Sequence, residues 1–278
     1  MKIKETTFDG RAAFELVERR VRLVIVHSIG PRIAFFGRVG GENLLYWDET
    51  RKQRRGDWHL YGGHRFWIAR TGADESEETY APDNEPCRVK RTAGGIAVST
   101  PVDASRVEKT LVIRARNGVW TIDHVLRNTS DMLWAGGAWA LTATRPLRTT
   151  RYEIPLDGGD PGWDVISIVI PRRWGGNHKT RIADPQFTLT DDALTFRSRG
   201  LEGKRLAYAP RGTLVMADKR GVFTKSAPVV VGAQYPYGAN VAAYLAPKSL
   251  MVELETMAPS QILGPGHILH HVETWTLG

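Results

Sequence analysis

The chain has 278 residues, with 38 Lys and Arg against 30 Asp and Glu, a formal charge of +8 and a pI near 9.7. A chain of this length buries roughly three quarters of its unfolded surface and needs no covalent staples. Its single cysteine excludes an internal disulfide and any zinc site built on several thiolates.

Residues 1–20 contain no apolar core of signal-peptide length, and no later segment approaches a membrane span. The expectation is a cytoplasmic protein with no membrane partner. Strand signals then dominate. Val21-Arg22-Leu23-Val24-Ile25-Val26 is short and β-branched, and Gly30-Pro31 stops it. Residues 32–36 resume, a turn follows at 39–43, and 44–47 are expected to extend again. The dense basic run Arg51-Lys52-Gln53-Arg54-Arg55 reads first as a solvated loop, second as an attractor of an acidic ligand, and last as a nucleic-acid contact. No zinc-finger, helix-turn-helix or aromatic-basic RNA motif supports nucleic acid as a partner.

The next segment is His59-Leu60-Tyr61-Gly62-Gly63-His64-Arg65-Phe66-Trp67. Paired glycines allow a sharp turn or a close backbone approach to a ligand. His64 can titrate near neutrality, Arg65 offers a planar fork for an oxyanion or paired hydroxyls, and Trp67 offers a flat apolar face. Sugars are held by that combination; a Gly-Gly turn flanked by packing aromatics is the plainer reading. Asp74-Glu75-Ser76-Glu77-Glu78 is an acidic run of solvated character. Asp83-Asn84, set between two prolines, is a rigid turn that could present Asn84 to a cleft. Cys87, at the start of an expected strand, reads as a small buried or half-buried residue.

The clearest hairpin spans 107–127, with Asn117-Gly118 supplying the φ > 0 pair of a type I′ turn. Further strands are expected at 95–99, 137–143, 165–170, 187–189, 193–198, 212–219, 221–226, 238–245 and 268–277. Between two of them, Pro171 to Lys179 forms a loop in which Trp174 and His178 are candidate ligand contacts. The run 235–277, headed by Tyr235, contains Leu250-Met251-Val252-Glu253-Leu254-Glu255-Thr256. A period of two puts Met251, Glu253 and Glu255 on one face and Leu250, Val252 and Leu254 on the other. The acidic face must meet water, a basic partner or a ligand. A carboxylate on a rigid strand is well placed for acid–base work. His267, His270, His271 and Glu273 form a weak metal pattern: His271 and Glu273 share a strand face, His270 does not, and outside ligands would be needed. Neither a metal nor a cofactor is expected.

No long run shows helical periodicity, no period repeats and no linker divides the chain. The expectation is an all-β protein, one large two-sheet antiparallel sandwich over 1–278 with few short helices.

In order and spacing, several stretches resemble the galactose-mutarotase-like (aldose 1-epimerase-like) β-supersandwich superfamily, most of all a bacterial branch of it. They are Ser28-Ile29-Gly30-Pro31-Arg32-Ile33, Gly62-Gly63-His64-Arg65-Phe66-Trp67, Tyr80-Ala81-Pro82-Asp83-Asn84, Trp139-Ala140-Leu141-Thr142, Glu253-Leu254-Glu255-Thr256, Leu263-Gly264-Pro265-Gly266 and Glu273-Thr274-Trp275. The resemblance implies a small-molecule sugar or oligosaccharide as partner, and the basic balance of the chain admits an acidic one. It assigns the base to Glu255 on a Leu-Glu-Thr strand, and a sugar contact to the glycine loop. Mutarotases carry an acid histidine on the strand after an Asn-Thr turn; here Asn128-Thr129-Ser130 leads to Gly136-Gly137-Ala138-Trp139-Ala140 without one. His64 is then the first candidate acid and His178 the second, with Arg65, Trp67, Asn84, Trp139, Trp174, His178 and Tyr235 as binding residues. Epimerase-type chemistry leads. The alternatives are a non-catalytic sugar binder and a lyase or hydrolase of acidic glycans.

Overall fold

The computed structural model describes residues 1–70, 80–102, 106–159, 164–175 and 177–278. Strands alternate inward and outward side chains, and two large antiparallel sheets result. The first runs in the order β1 (Lys2–Phe8), β2 (Arg11–Glu18), β3 (Val21–Val26), β4 (Arg32–Arg38), β7 (His64–Ala69), β12 (Trp134–Thr144), β23 (Val252–Met257), β22 (Val241–Leu245), β19 (Gly203–Tyr208) and β14 (Ser167–Val169), with β24 (Gln261–Leu263) beside the start of β12. The second runs β17 (Phe187–Leu189), β18 (Ala193–Phe196), β13 (Arg151–Pro155), β20 (Thr213–Asp218), β21 (Gly221–Ser226), β25 (Ile268–Leu277), β11 (Val119–Asn128), β10 (Val107–Arg116), β9 (Gly95–Ser99) and β8 (Arg88–Thr92). Two ribbons, β5–β6 (Arg54–Arg55 with Trp58–His59) and β15–β16 (Arg173–Trp174 with His178–Lys179), lie outside both sheets. The helical segments described, Pro236–Gly238 and Pro247–Ser249, are single 3₁₀ turns.

The sheets face one another across one apolar layer. Phe36 of the first sheet meets Trp120, Phe223 and Trp275 of the second at centroid distances of 6.0, 5.3 and 5.2 Å. Aromatic pairs at these separations add to the area they bury. The all-β sandwich expectation is met. At Asn117 and Gly118 φ is 55° and 83°, the left-handed pair that lets β10 return as β11.

Three expectations change. Residues 44–47 make only the bridges Leu45–Thr144 and Trp47–Gly62, because the Asn43 side chain bonds Phe36 N, Ala34 O and Leu45 N and holds the chain in a loop. Residues 64–69, expected as a turn and its flank, are a central strand, β7, between β4 and β12. The N-terminal hairpin β1–β2, together with β13 and β19, was not anticipated. The acidic run 74–78 lies outside the described residues.

Candidate functional site

Glycines 62 and 63 determine where β7 begins. Their φ values are 85° and 71°, and a Cβ on Gly63 would stand 2.3 Å from Ile33 O, one on Gly62 2.5 Å from Tyr46 O. The close approach is to the protein's own backbone rather than to a ligand. β7 then alternates. Phe66 and Ile68 enter the inter-sheet core, and Arg65 and Trp67 point to the opposite face. His64 therefore faces inward. It is fully buried, with Nδ1 2.9 Å from Thr142 Oγ1 and Nε2 2.7 Å from His124 Nε2. This corrects its assignment as the acid opposite Glu255: the first sheet separates the two side chains.

On the outward face the register places Arg65, Leu141, Glu255, Ala242 and Leu206 in one row across five strands. Glu253, Tyr244 and Lys204 form the next row. The alternation expected for β23 holds, and the acidic face meets cations: Glu253 forms a buried ion pair with Arg65, and Glu255 Oε1 lies 3.4 Å from Lys204 Nζ. Glu255 Oε2 accepts a 2.9 Å hydrogen bond from Trp139 Nε1. The Lys204 ammonium sits 4.9 Å from the Trp139 ring centroid, a cation–π contact. Glu255 is fully buried beneath this layer and does not line the hollow above it.

That hollow, about 230 Å³, is walled by the aromatic rings of Trp58, Trp67, Tyr80, Trp174 and Tyr244. Its polar groups are Gln53, Arg54, Arg65, His178, Lys204 and Glu253. Trp58, Trp67 and Tyr80 pack at 5.6–6.2 Å from one another on one side. On the other side Trp174 stacks on His178 at 5.4 Å across the β15–β16 ribbon. Glu202 orients this wall. One oxygen accepts from His178 Nδ1 at 2.7 Å and from the Tyr244 hydroxyl at 2.9 Å, leaving the far side of the imidazole for other partners. Behind the first wall, buried Asp83 pairs with Arg32 at 2.9 Å and accepts from Trp58 Nε1 at 2.9 Å. Burial works to raise its carboxyl pKa, but Arg32, Arg65 and Lys109 hold it below the usual range.

Of the expected binding residues, Arg65, Trp67, Trp174 and His178 meet around the hollow, and Trp139 lies under its floor. Asn84 and Tyr235 do not join them. Asn84 Oδ1 accepts the His59 N–H at 2.8 Å, so it braces the loop that carries Trp58. Tyr235 is buried, its hydroxyl accepts from Val230 N, and its ring meets Tyr208 at 6.1 Å. Trp58, Tyr80, Lys204, Glu202 and Tyr244 were missed. They are single residues in ordinary strands and loops, and only the tertiary fold makes them neighbours. Cys87 donates to Gly30 O at 2.8 Å, and burial pushes its thiol up to about 12, so it is no nucleophile at neutral pH.

His64, His124 and Glu273 offer ligand atoms within 4.8 Å of one another. These donors already satisfy each other and their neighbours, and the Lys225 ammonium, 2.7 Å from Glu273 Oε1, supplies the cationic charge a metal would bring. They do not fit a metal. His270 points outward to Asp123 at 3.0 Å.

No protein-family model matches the sequence, and no curated protein sequence matches it. Solved structures do. A proposed aldose 1-epimerase from Escherichia coli K12 superposes with a TM-score of 0.68 at 9% identity, covering 96% of this chain and 98% of that one. A galactose mutarotase-like protein from Lactobacillus casei ATCC 334 gives 0.61 at 10% identity, over 96% and 100%. Another from Clostridium acetobutylicum gives 0.59 at 9% identity, over 100% and 98%. The chain has the galactose-mutarotase-like β-supersandwich fold. At such identities the likeness carries the fold and not the chemistry. In this supersandwich, no helix among the described residues is long and apolar enough to cross a membrane.

Proposed function

We propose that the hollow on the first sheet binds a sugar, and that its chemistry is proton exchange at the anomeric centre of an aldose. One observation carries the reading. Arg65 Nε and Nη1 and Trp67 Nε1, on the hollow's wall, are buried donors with no partner among the described residues. Buried donors are rarely left unmatched, and the matching acceptors are those a ligand's oxygens or waters provide. Aromatic rings on both sides suit the C–H faces of a pyranose. The small volume suits a monosaccharide better than an extended chain. Arg54, Arg65 and Lys204 against one carboxylate, Glu253, favour a sugar that bears an acidic group.

Mutarotation requires a base at the anomeric hydroxyl and an acid at the ring oxygen. In this reading His178, held by Glu202, is the acid that reaches the substrate. Glu253 is the carboxylate that lines the same hollow. Glu255, to which the resemblance assigns the base, acts by setting Lys204 and Trp139. The test is optical rotation of freshly dissolved α-aldoses and α-uronic acids with the protein and with the His178→Ala and Glu253→Gln variants. Conversion faster than buffer, lost in both folded variants, is expected; buffer rates across the panel would remove the epimerase reading.

A second reading, sugar binding without turnover, is favoured by the cover that Lys204 places over Glu255. Calorimetric binding with no change in optical rotation would be its signature.

A further inference from the structure

Behind the hollow, on the other face of the same strands, lies a buried set of ionisable groups that the proposed chemistry does not use: His64, His124, His271, Lys225 and Glu273, all at most 6% exposed. Their hydrogen bonds fix every shared proton. His124 Nδ1 lies 2.8 Å from the backbone oxygen of His271, so that nitrogen carries hydrogen. Burial, the largest influence, holds His124 and His64 below the ordinary histidine value, and both are neutral. His124 Nε2 is then an acceptor, and His64 Nε2–H donates to it. His64 Nδ1 in turn accepts from the Thr142 hydroxyl, whose oxygen accepts from Lys225 Nζ at 2.8 Å. Lys225 also donates to Glu273 Oε1 at 2.7 Å and to Leu254 O at 3.0 Å. Thr256 gives its one hydroxyl proton to Glu273, so His271 Nε2–H donates to Thr256 at 2.7 Å. Trp275 Nε1 closes the carboxylate's other oxygen at 2.7 Å.

Every link from Lys225, His124, His271 or Glu273 to His64, Thr142, Leu254 or Thr256 crosses from the second sheet to the first. The four residues on the first sheet are chain neighbours of the floor of the hollow. His64 precedes Arg65, Thr142 follows Leu141, Leu254 lies between Glu253 and Glu255, and Thr256 follows Glu255. Burying an ion pair and three imidazoles costs more than an apolar filling of the same volume. We infer that Lys225 and Glu273, with the histidine chain, are positioning residues for the hollow. They fix the pitch of β7, β12 and β23 from behind, so that Arg65, Glu253 and Glu255 meet their partners. The inference rests on the hollow being the sugar site.

The test is the double variant Lys225→Met/Glu273→Gln, which removes both charges together. Its probes are the Trp139 indole N–H resonance, which reports the bond to Glu255 on the far face of the sheet, and the affinity for the aldose or uronic acid that the unaltered protein binds. We expect the indole resonance to move and the affinity to weaken about tenfold, or 1.4 kcal/mol. Leu214→Ala, a core truncation on β20 of the second sheet, should leave the resonance in place. An unmoved Trp139 indole, an unchanged affinity, or an equal shift in Leu214→Ala would each overturn the inference. If the double variant does not fold, Thr142→Val removes the hydroxyl shared by Lys225 and His64 without touching a charge, and the same outcomes apply. Should no sugar bind the unaltered protein, the reading of the hollow falls, and the indole comparison alone decides the positioning.

Discussion

The guanidinium of Arg65 on β7 reaches over the intervening strand β12 to the carboxylate of Glu253 on β23, 188 residues further along the chain. Both side chains are nearly inaccessible, at 3% and 6%. Removing one member of such a pair leaves an uncompensated buried charge and costs about 3–5 kcal/mol, whereas replacing both with apolar residues costs far less. Arg65→Met and Glu253→Leu should each destabilise by that amount, and the double variant should recover most of the loss. Urea unfolding of the four proteins checks this; additive losses would show that the two side chains do not act as a pair.

Stability should fall as the solution is acidified. Burial lowers the pKa of His64, His124 and His271, the last to about 3. The unfolded chain takes up these protons near pH 6.5 while the folded chain does not. Unfolded protein therefore binds more protons below that pH, and the stability present above it is lost progressively down towards pH 3. Denaturant midpoints between pH 8 and pH 4 should decline steadily below about 6.5, and the slope should lessen in His271→Gln. A flat profile would mean that the imidazoles are hydrated.

Gly63→Ala should be severely destabilising. Its φ of 71° disfavours any side chain, and the added methyl would meet Ile33 O, which β4 holds in place. A loss above about 2 kcal/mol is expected, combining left-handed strain with a backbone collision. Gly40→Ala is the control: φ is 75° there, but nothing lies within 4 Å. Its loss should be about 1 kcal/mol, from conformation alone. Equal thermal midpoints for the two variants would remove the close-approach argument.

If the hollow epimerises a sugar, His178→Ala should slow conversion by about 10²–10⁴-fold, the usual worth of a positioned acid or base. Glu202→Gln should cost less. It keeps a hydrogen-bond acceptor for His178 and Tyr244 but withdraws the charge that holds the imidazole. Optical rotation at saturating sugar separates the two variants. A Glu202→Gln loss larger than that of His178→Ala would move the chemistry from the histidine to the carboxylate.

Where one face of a strand differs from the other, the sequence showed it. β23 alternates, and the hairpin at Asn117-Gly118 carries its own turn chemistry, so both were legible. β7 was not. His64-Arg65-Phe66-Trp67-Ile68-Ala69 is buried on both faces, with a histidine in the core and an arginine under aromatic rings, so no period of two appears. The same concealment sent His64 to the wrong side of the sheet, because one residue of register exchanges the faces. Trp174 and His178 could be singled out because aromatic and titratable groups cluster in a short loop. Lys204, Tyr244 and Glu202 could not, since their partners come from strands far away in sequence. The separation of Glu253, which lines the hollow, from Glu255, which underlies it, depends on where Lys204 sits, and no local pattern encodes that.

The final strand, Ile268–Leu277, is inserted between β11 and β21 rather than added at a margin. During synthesis the hairpin β10–β11 and the ribbon β20–β21 emerge first, each with an unsatisfied row of peptide groups waiting for β25. Until residues 268–277 arrive, the second layer cannot close and Glu273 cannot meet Lys225. Nascent chains stalled short of residue 268 should be protease-sensitive and prone to stick together, and the arrival of β25 should set the moment at which the two layers lock.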